Sequence, residues 1–402
     1  MGGWRAFVRG GTAAACLLGA AGAFGPVVDA GEPGPVAASA PAAPLLPFSP
    51  PAPAPAPSAA RPARPVASPS CVQDACLADR RAPRCPCDEP RRGPVEVRDP
   101  FLLAQPRLTL PATSPDTLGC GVTSLRAQFT SGNSFGWGQS ESGETPADRQ
   151  FLVDGESRTF EVLAMHGVTP DLDLGLRVPL HWRGAGWSDP LIDAFHELTS
   201  FATLDNMRGD FRENSFRIEG RTYGGDVFNA NDDTGTGLGD IEAIGRWRFK
   251  DGGRDGTSLA LVGRVTLPTG TGPFDAGGFG AGLQVVGARR VAPKLDVFAG
   301  VGGTWYSDTR DMGFTYEALR GQVFAAIEWR PFRTWSLVYE MDYTTALVDD
   351  VVRFHPQHFI MNLAAKVDVR PDTRLELGSI ENFIHQQSTV DIAIYVGVEF
   401  RR

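Results

Sequence analysis

The chain has 402 residues and carries 38 Lys and Arg against 47 Asp and Glu, a formal net charge of -9. No basic stripe is present, which excludes a nucleic-acid partner. The length suits two or three ordinary domains or one large barrel.

Residues 1–30 read as a signal peptide: Arg5 and Arg9 precede the apolar run Thr12–Phe24, and Ala23 or Ala30 suits a cleavage site. No later run of about 18 apolar residues follows, so no helical span is expected. Export then leads to the periplasm, the outer membrane or secretion. Residues 31–70 are almost entirely Pro, Ala, Gly and Ser, with PPAPAPAPSAA at the centre. This composition cannot bury a core and predicts a disordered, extended linker.

Residues 71–118 form a Cys-containing segment expected in the periplasm. Cys71, Cys76, Cys85 and Cys87 lie close together, and in an exported chain disulfides are the default. A Cys-x-Cys end is not a usual zinc spacing. Cys120 is left over, either free or paired with one of the four.

From 119 to 402 the texture changes. Segments of ten to twelve residues alternate apolar and polar, separated by turn residues. Leu172 to Trp182, Leu295 to Trp305, Leu319 to Trp329, Phe359 to Val369 and Val390 to Phe400 are five such rows. That is the length a tilted membrane strand needs. About twelve candidate strands predict an all-β, transmembrane, antiparallel up-and-down barrel. Three features favour a membrane barrel over a soluble sandwich. The polar partners carry charges of both signs, short turns alternate with long loops, and the aromatics fall at two rims. The expected lumen-lining residues are Arg177, His181, Arg246, Arg248, Arg264, Arg320, Glu328, Glu340, Asp342, Lys366, Asp368, Arg374 and Glu376.

Residues 183–237 break the alternation and by parity form one outside loop. Within it, SDPLIDAFHELTSF predicts a helix capped by Ser188, with Pro190 in its first turn. Leu191, Ile192 and Phe195 lie on one apolar stripe, while Asp189, Asp193, His196 and Glu197 fall on other faces. This helix is the expected lid or gate.

Three segments resemble an uncharacterised family of predicted outer-membrane proteins, known only as a domain of unknown function. They are LVDGES at 152–157, LGLRVPLHWRGAGW at 174–187 and DPLIDAFHELTSF at 189–201. GTGLGDIEA at 235–243 and VTLPTGTG at 265–272 are similar to that family too. The resemblance covers about 120–402. It implies a barrel in the outer membrane and brings no ligand and no catalytic residue.

The glycine-rich runs are not phosphate loops, since no Lys-Ser/Thr and no βαβ unit follow them. No catalytic residues, cofactor or metal are expected. The leading expectation is a passive or gated channel for an unidentified small solute. The alternatives are a structural barrel anchoring the Pro-rich arm, and a lipid-modifying enzyme. Expected partners are outer-membrane lipid, lipopolysaccharide and the barrel assembly machinery.

Overall fold

The computed structural model describes residues 91–138, 150–190, 214–253, 256–348, 350–352, 354, 357–382 and 389–402. Twelve long strands follow one another along the chain. They are β1 (Thr123–Trp137), β2 (Phe151–Thr169), β3 (Leu172–Gly184), β4 (Ile241–Lys250), β5 (Thr257–Leu267), β6 (Gly280–Ala292), β7 (Leu295–Tyr306), β8 (Leu319–Phe332), β9 (Trp335–Thr344), β10 (His358–Arg370), β11 (Thr373–Glu381) and β12 (Ile392–Arg401). Each pairs antiparallel with the next. β12 pairs back on β1, from Ser124↔Arg401 to Asn133↔Ile392, and closes the ring. Closure leaves no long edge to aggregate.

The period-two alternation sets the two faces. On β3, Leu174, Leu176, Val178 and Leu180 are exposed, while Asp173, Arg177, His181 and Arg183 between them are buried. The contrast is large: Leu377 is 62% exposed and Arg177 and Glu242 are 0% exposed. An apolar outside around a charged inside reverses the order of a water-soluble protein and suits a barrel surrounded by hydrocarbon. Trp247, Trp329, Phe332 and Phe400 are exposed near one rim, and Trp305 and Tyr343 near the other.

The two ends differ in their connections. At one end β2–β3, β6–β7, β8–β9 and β10–β11 are joined by two-residue turns, as at Pro170–Asp171 and Pro371–Asp372. At the other end the connections are long. Here the inner-face count of twelve strands agrees with the alternation, but two boundaries move. The alternation places the first two strands at about 122–131 and 158–168, whereas β1 runs on to Trp137 and β2 starts at Phe151, because both continue past the barrel wall into the loop region.

Residues 183–237 are not free of strand. Arg217–Arg221 pairs with Phe151–Asp154 of β2, Val227–Asn229 pairs with Arg217–Arg221, and Gly235–Leu238 pairs with Leu180–Arg183 of β3. These pairings use main-chain groups that the extended upper ends of β2 and β3 would otherwise leave open. The expected helix begins at Asp189–Pro190, but Leu191, Ile192, Asp193, Phe195, His196 and Glu197 lie outside the described residues. So do Cys71, Cys76, Cys85 and Cys87.

One boundary is corrected. Residues 91–118 do not form a segment apart from the barrel; 21 of the 28 are buried and the rest half-buried, and they run inside it. Val95, Phe101, Leu102, Leu108 and Leu110 are at most 1% exposed. Gly93, at φ +78, turns the chain into the lumen; a Cβ there would meet the Cβ of Ser114 at 3.0 Å, so the two feet of the segment touch.

The candidate functional site: an occupied lumen

The inner segment is a hairpin that enters and leaves by the short-turn end. Its feet are joined by Arg91, whose guanidinium makes a two-pronged ion pair with Asp116 at 2.9 Å. Its tip reaches the long-loop end. There residues 101–107 make a turn, with Gln105 N bonded to Phe101 O at 3.0 Å and Arg107 N to Ala104 O at 3.0 Å.

The ascending limb is held mainly through its main chain. Glu328 on β8 accepts from the amides of Arg92 and Gly93, each at 3.0 Å. Glu340 on β9 accepts from Val95 N at 3.0 Å. Lys366 on β10 donates to Pro94 O at 2.7 Å and Arg92 O at 3.2 Å, and pairs with Glu376 at 3.1 Å. Proline suits position 94, because this site uses only its carbonyl. The Arg92 side chain donates to Asp368 at 2.8 Å, and Asp99 meets His358 Nδ1 at 3.0 Å.

The descending limb is held in the same way. Gln322 accepts from Leu110 N at 3.1 Å, Tyr306 donates to Leu108 O, and Asp173 accepts from Leu118 N at 3.1 Å. Arg246 on β4 bonds Glu96 at 2.7 Å and Thr113 at 2.9 Å, tying both limbs to the wall. Each of these carboxyl groups is buried, and its amide donors offset part of the cost of desolvating it.

The tip is sealed by apolar packing. Phe101 lies 5.3 Å edge-on from the His358 ring and 6.3 Å from the ring of Phe354. It belongs to a cluster with Leu102, Leu103, Phe151, Ile218, Tyr316, Leu347 and Val351. Arg107 stacks over Tyr316 at 4.1 Å and donates to Asp308 O at 2.7 Å. Burial pushes the nearby Asp311 carboxyl above its ordinary range, and Arg107 and Arg183 pull against that rise. Three loops are knitted over this tip: Tyr223 N bonds Asp350 O at 2.8 Å, Val352 N bonds Arg221 O at 2.9 Å, and Glu317 N bonds Leu347 O at 2.9 Å. Replacing Phe101 with Ala is expected to cost about 3–5 kcal/mol of local stability, read as faster amide exchange over 101–107 with the strands unchanged.

At the short-turn end the hairpin leaves a cavity of about 780 Å³, lined by Arg91, Glu96, Arg126, Arg246, Lys366 and Glu376 among others. The structure therefore opens toward one end and is filled toward the other.

Of the expected lumen residues, all but Arg248 and Asp368 are buried on the inner face. Arg246, Glu328, Glu340, Lys366 and Asp368 bind the hairpin directly, and Arg246, Lys366, Asp368, Arg374 and Glu376 also line the cavity at the short-turn end. Arg264 and Arg177 both bind Glu242, an inner carboxylate outside the expected set, at 2.5 Å and 3.5 Å. Asp342 accepts from Gln322 at 3.4 Å, and Arg374 pairs with Asp368 at 2.8 Å. Arg248 reaches outward at the rim to Asp171 at 2.8 Å, Arg320 holds Ala346 O at 3.1 Å, and His181 Nδ1 meets Thr159 Oγ1 at 2.9 Å. Asp189 accepts from Asn133 at 2.9 Å and from Asn214 N at 2.7 Å, so it anchors the start of its segment. Among the described residues, no three His, Cys, Asp or Glu side chains come together as a metal site.

Two groups of residues escape the alternation. One is the hairpin, whose signal is the return of apolar spacing at Val95, Val97, Phe101, Leu108 and Leu110 after the Pro/Ala linker. The other is an inner apolar patch of Ala260, Val262, Val286, Phe298 and Phe324, against which Ala112 packs. Its signal is a run apolar on both faces, Leu259-Ala260-Leu261-Val262, which marks a strand covered on both sides.

Among solved structures, the chain is similar to the COG4313 outer membrane channel from Pseudomonas putida F1. The identity is 12%, the TM-score 0.50, and the match covers 73% of this chain and 100% of that one. The NanC porin matches at 7% identity and a TM-score of 0.39, over 69% of this chain and 98% of that one. The Pseudomonas putida toluene transporter TodX matches at 10% identity and a TM-score of 0.35, over 78% and 99%. At such identities the likeness concerns the fold alone. No curated protein matches the chain. The model of a family described as "Protein of unknown function (DUF3187)" matches residues 88–402, taking in the inner hairpin as well as the barrel, and the chain belongs to that family.

Proposed function

We propose that this protein is an outer-membrane channel for small solutes, closed by its own residues 91–118. The observation that carries this reading is the way the lumen is filled. The wall grips a separate stretch of chain through charged side chains and main-chain groups, which water or a solute can replace. A purely structural barrel would gain more from filling its lumen with apolar side chains. The short-turn end faces the periplasm in this reading, and the arm before residue 91 emerges there. Lipid and lipopolysaccharide surround the apolar belt, and the assembly machinery inserts it.

Planar bilayers test the channel. The full chain is expected to conduct little, and Glu328→Gln with Lys366→Met is expected to show frequent openings. Silence in both, even with 186–206 deleted as well, would contradict it. Membrane placement has its own test. Leu363, mid-strand on β10 and 57% exposed, faces outward. Leu363→Arg is expected to cost about 2–4 kcal/mol in unfolding from lipid, as at a bilayer midplane. A change near zero would place that face in water.

A further inference from the structure

The cavity of about 780 Å³ at the short-turn end is lined, among the described residues, by ten Arg and Lys side chains against six Asp and Glu. On one side the extra cations have carboxylates behind them. Arg290 holds Asp296 at 3.1 Å, Arg248 holds Asp171 at 2.8 Å, and Arg246 stands 3.7 Å from Asp173. The other side is different. There the lining row Leu163↔Arg126↔Glu399↔Arg374↔Asp368 runs unbroken across β2, β1, β12, β11 and β10. In and beside this row, five lining cations share three lining carboxylates. Glu399 meets Arg374 at 3.5 Å and Arg401 at 2.8 Å. Glu376 meets Lys366 at 3.1 Å and also Arg126. Asp368 meets Arg92 and Arg374, each at 2.8 Å. Arg92 has one more acid in reach, Glu328 at 4.0 Å, and that carboxylate already serves two amides.

We propose that this cavity is a binding site for a small organic carboxylate with an apolar body. Two further observations point to a ligand of that kind. First, donors on the lining guanidiniums are left over. Arg126 Nε, Arg91 Nη1 and Arg246 Nε have no hydrogen-bond partner, although these side chains are only 9%, 8% and 10% exposed. Buried cations short of acceptors favour an added anion. Second, the cationic row ends on an apolar step. Leu163 stands directly opposite Arg126 in the β1–β2 register and Met165 opposite Ser124, and both line the cavity beside Leu118. A carboxylate over Arg126, Arg374 and Arg401 thus has its own apolar body against Leu163 and Met165. The volume lies in the range of small-molecule sites, about 300–1,000 Å³. Binding rests on this cavity alone. That such anions are the solute that passes rests on the channel reading.

Equilibrium dialysis of benzoate against the full chain in lipid nanodiscs tests the site. Benzoate is expected to bind saturably and to weaken as salt is raised. Acetate, which has the charge without the body, and benzyl alcohol, which has the body without the charge, are each expected to bind at least about tenfold more weakly. Arg374→Gln with Arg401→Gln is expected to weaken benzoate at least about tenfold. Neither residue bonds the hairpin, so slow exchange of the Gly93 and Val95 amides should persist in that variant. The comparison of the three probes on the wild-type protein decides the matter even if the variant folds poorly. Equal binding of benzoate and benzyl alcohol would overturn the proposal. So would benzoate binding unchanged in a folded double variant, or no saturable binding below about 10 mM. A barrel that conducts but does not bind benzoate keeps the channel and loses the site. One that binds benzoate but never conducts, even with the hairpin released, keeps the site and refutes the channel.

Discussion

Deleting residues 94–113, so that Gly93 joins Ser114, is expected to convert a closed barrel into an open one. The join needs little rearrangement, because these two residues already touch and Arg91 keeps its pair with Asp116. The deletion removes Phe101, Leu102 and Leu103 from the seal at the long-loop end, and it frees Glu340, Gln322 and Tyr306 to bind water. A twelve-stranded ring lies between small filled barrels and open porins, so once emptied it should admit small hydrated solutes, with flux up at least about tenfold. Swelling of protein-containing liposomes in arabinose or a small amino acid reads this directly. If the seal lies elsewhere, in the loops alone, flux stays at the level of the full chain.

The second large effect is expected at Glu242. Its carboxylate serves two guanidiniums that are fully buried, Arg264 and Arg177, and Arg177 also faces Glu161 at 3.7 Å. Glu242→Gln keeps the shape and removes the charge that separates the two arginines. Breaking a buried pair in this way costs about 3–5 kcal/mol. The expected result is a lower unfolding midpoint in urea, with the same strand content by circular dichroism before the transition. Glu242→Gln combined with Arg264→Gln should recover part of the loss, since the second change removes one of the stranded cations. A single variant within about 0.5 kcal/mol of the parent would mean that lumen water already screens this cluster.

The barrel was legible because its code is simple. A period of two needs only a list of alternating residues, and Leu174, Leu176 and Leu180 against Asp173, Arg177 and His181 are enough to assign both faces. The inner face was legible only as a set of residues, because its polar groups can meet water, each other or a third element with the same spacing. Glu328, Glu340 and Lys366 read as pore lining, yet they hold main-chain groups of Arg92, Gly93, Pro94 and Val95. Nothing local to those three residues distinguishes the two cases. The distinguishing signal lies more than 230 positions earlier in the chain, in a short apolar segment that has no regular secondary structure and therefore no period. The short strands at 217–221, 227–229 and 235–238 were missed for a related reason. Arg217-Ile-Glu-Gly-Arg221 becomes a strand because β2 extends above the barrel and offers an edge, not because of its own propensity.

Amide exchange in the full-length protein, in lipid and read residue by residue, tests the central claim most directly. The amides of Gly93, Val95, Leu110 and Leu118 are bonded to wall side chains of Glu328, Glu340, Gln322 and Asp173. A hairpin seated in the lumen predicts that these four exchange as slowly as the strands of β8 to β10, at least about a thousandfold slower than an open chain. Exchange of all four at the open-chain rate, with the strands still protected, would show an empty barrel with its N-terminal segment outside.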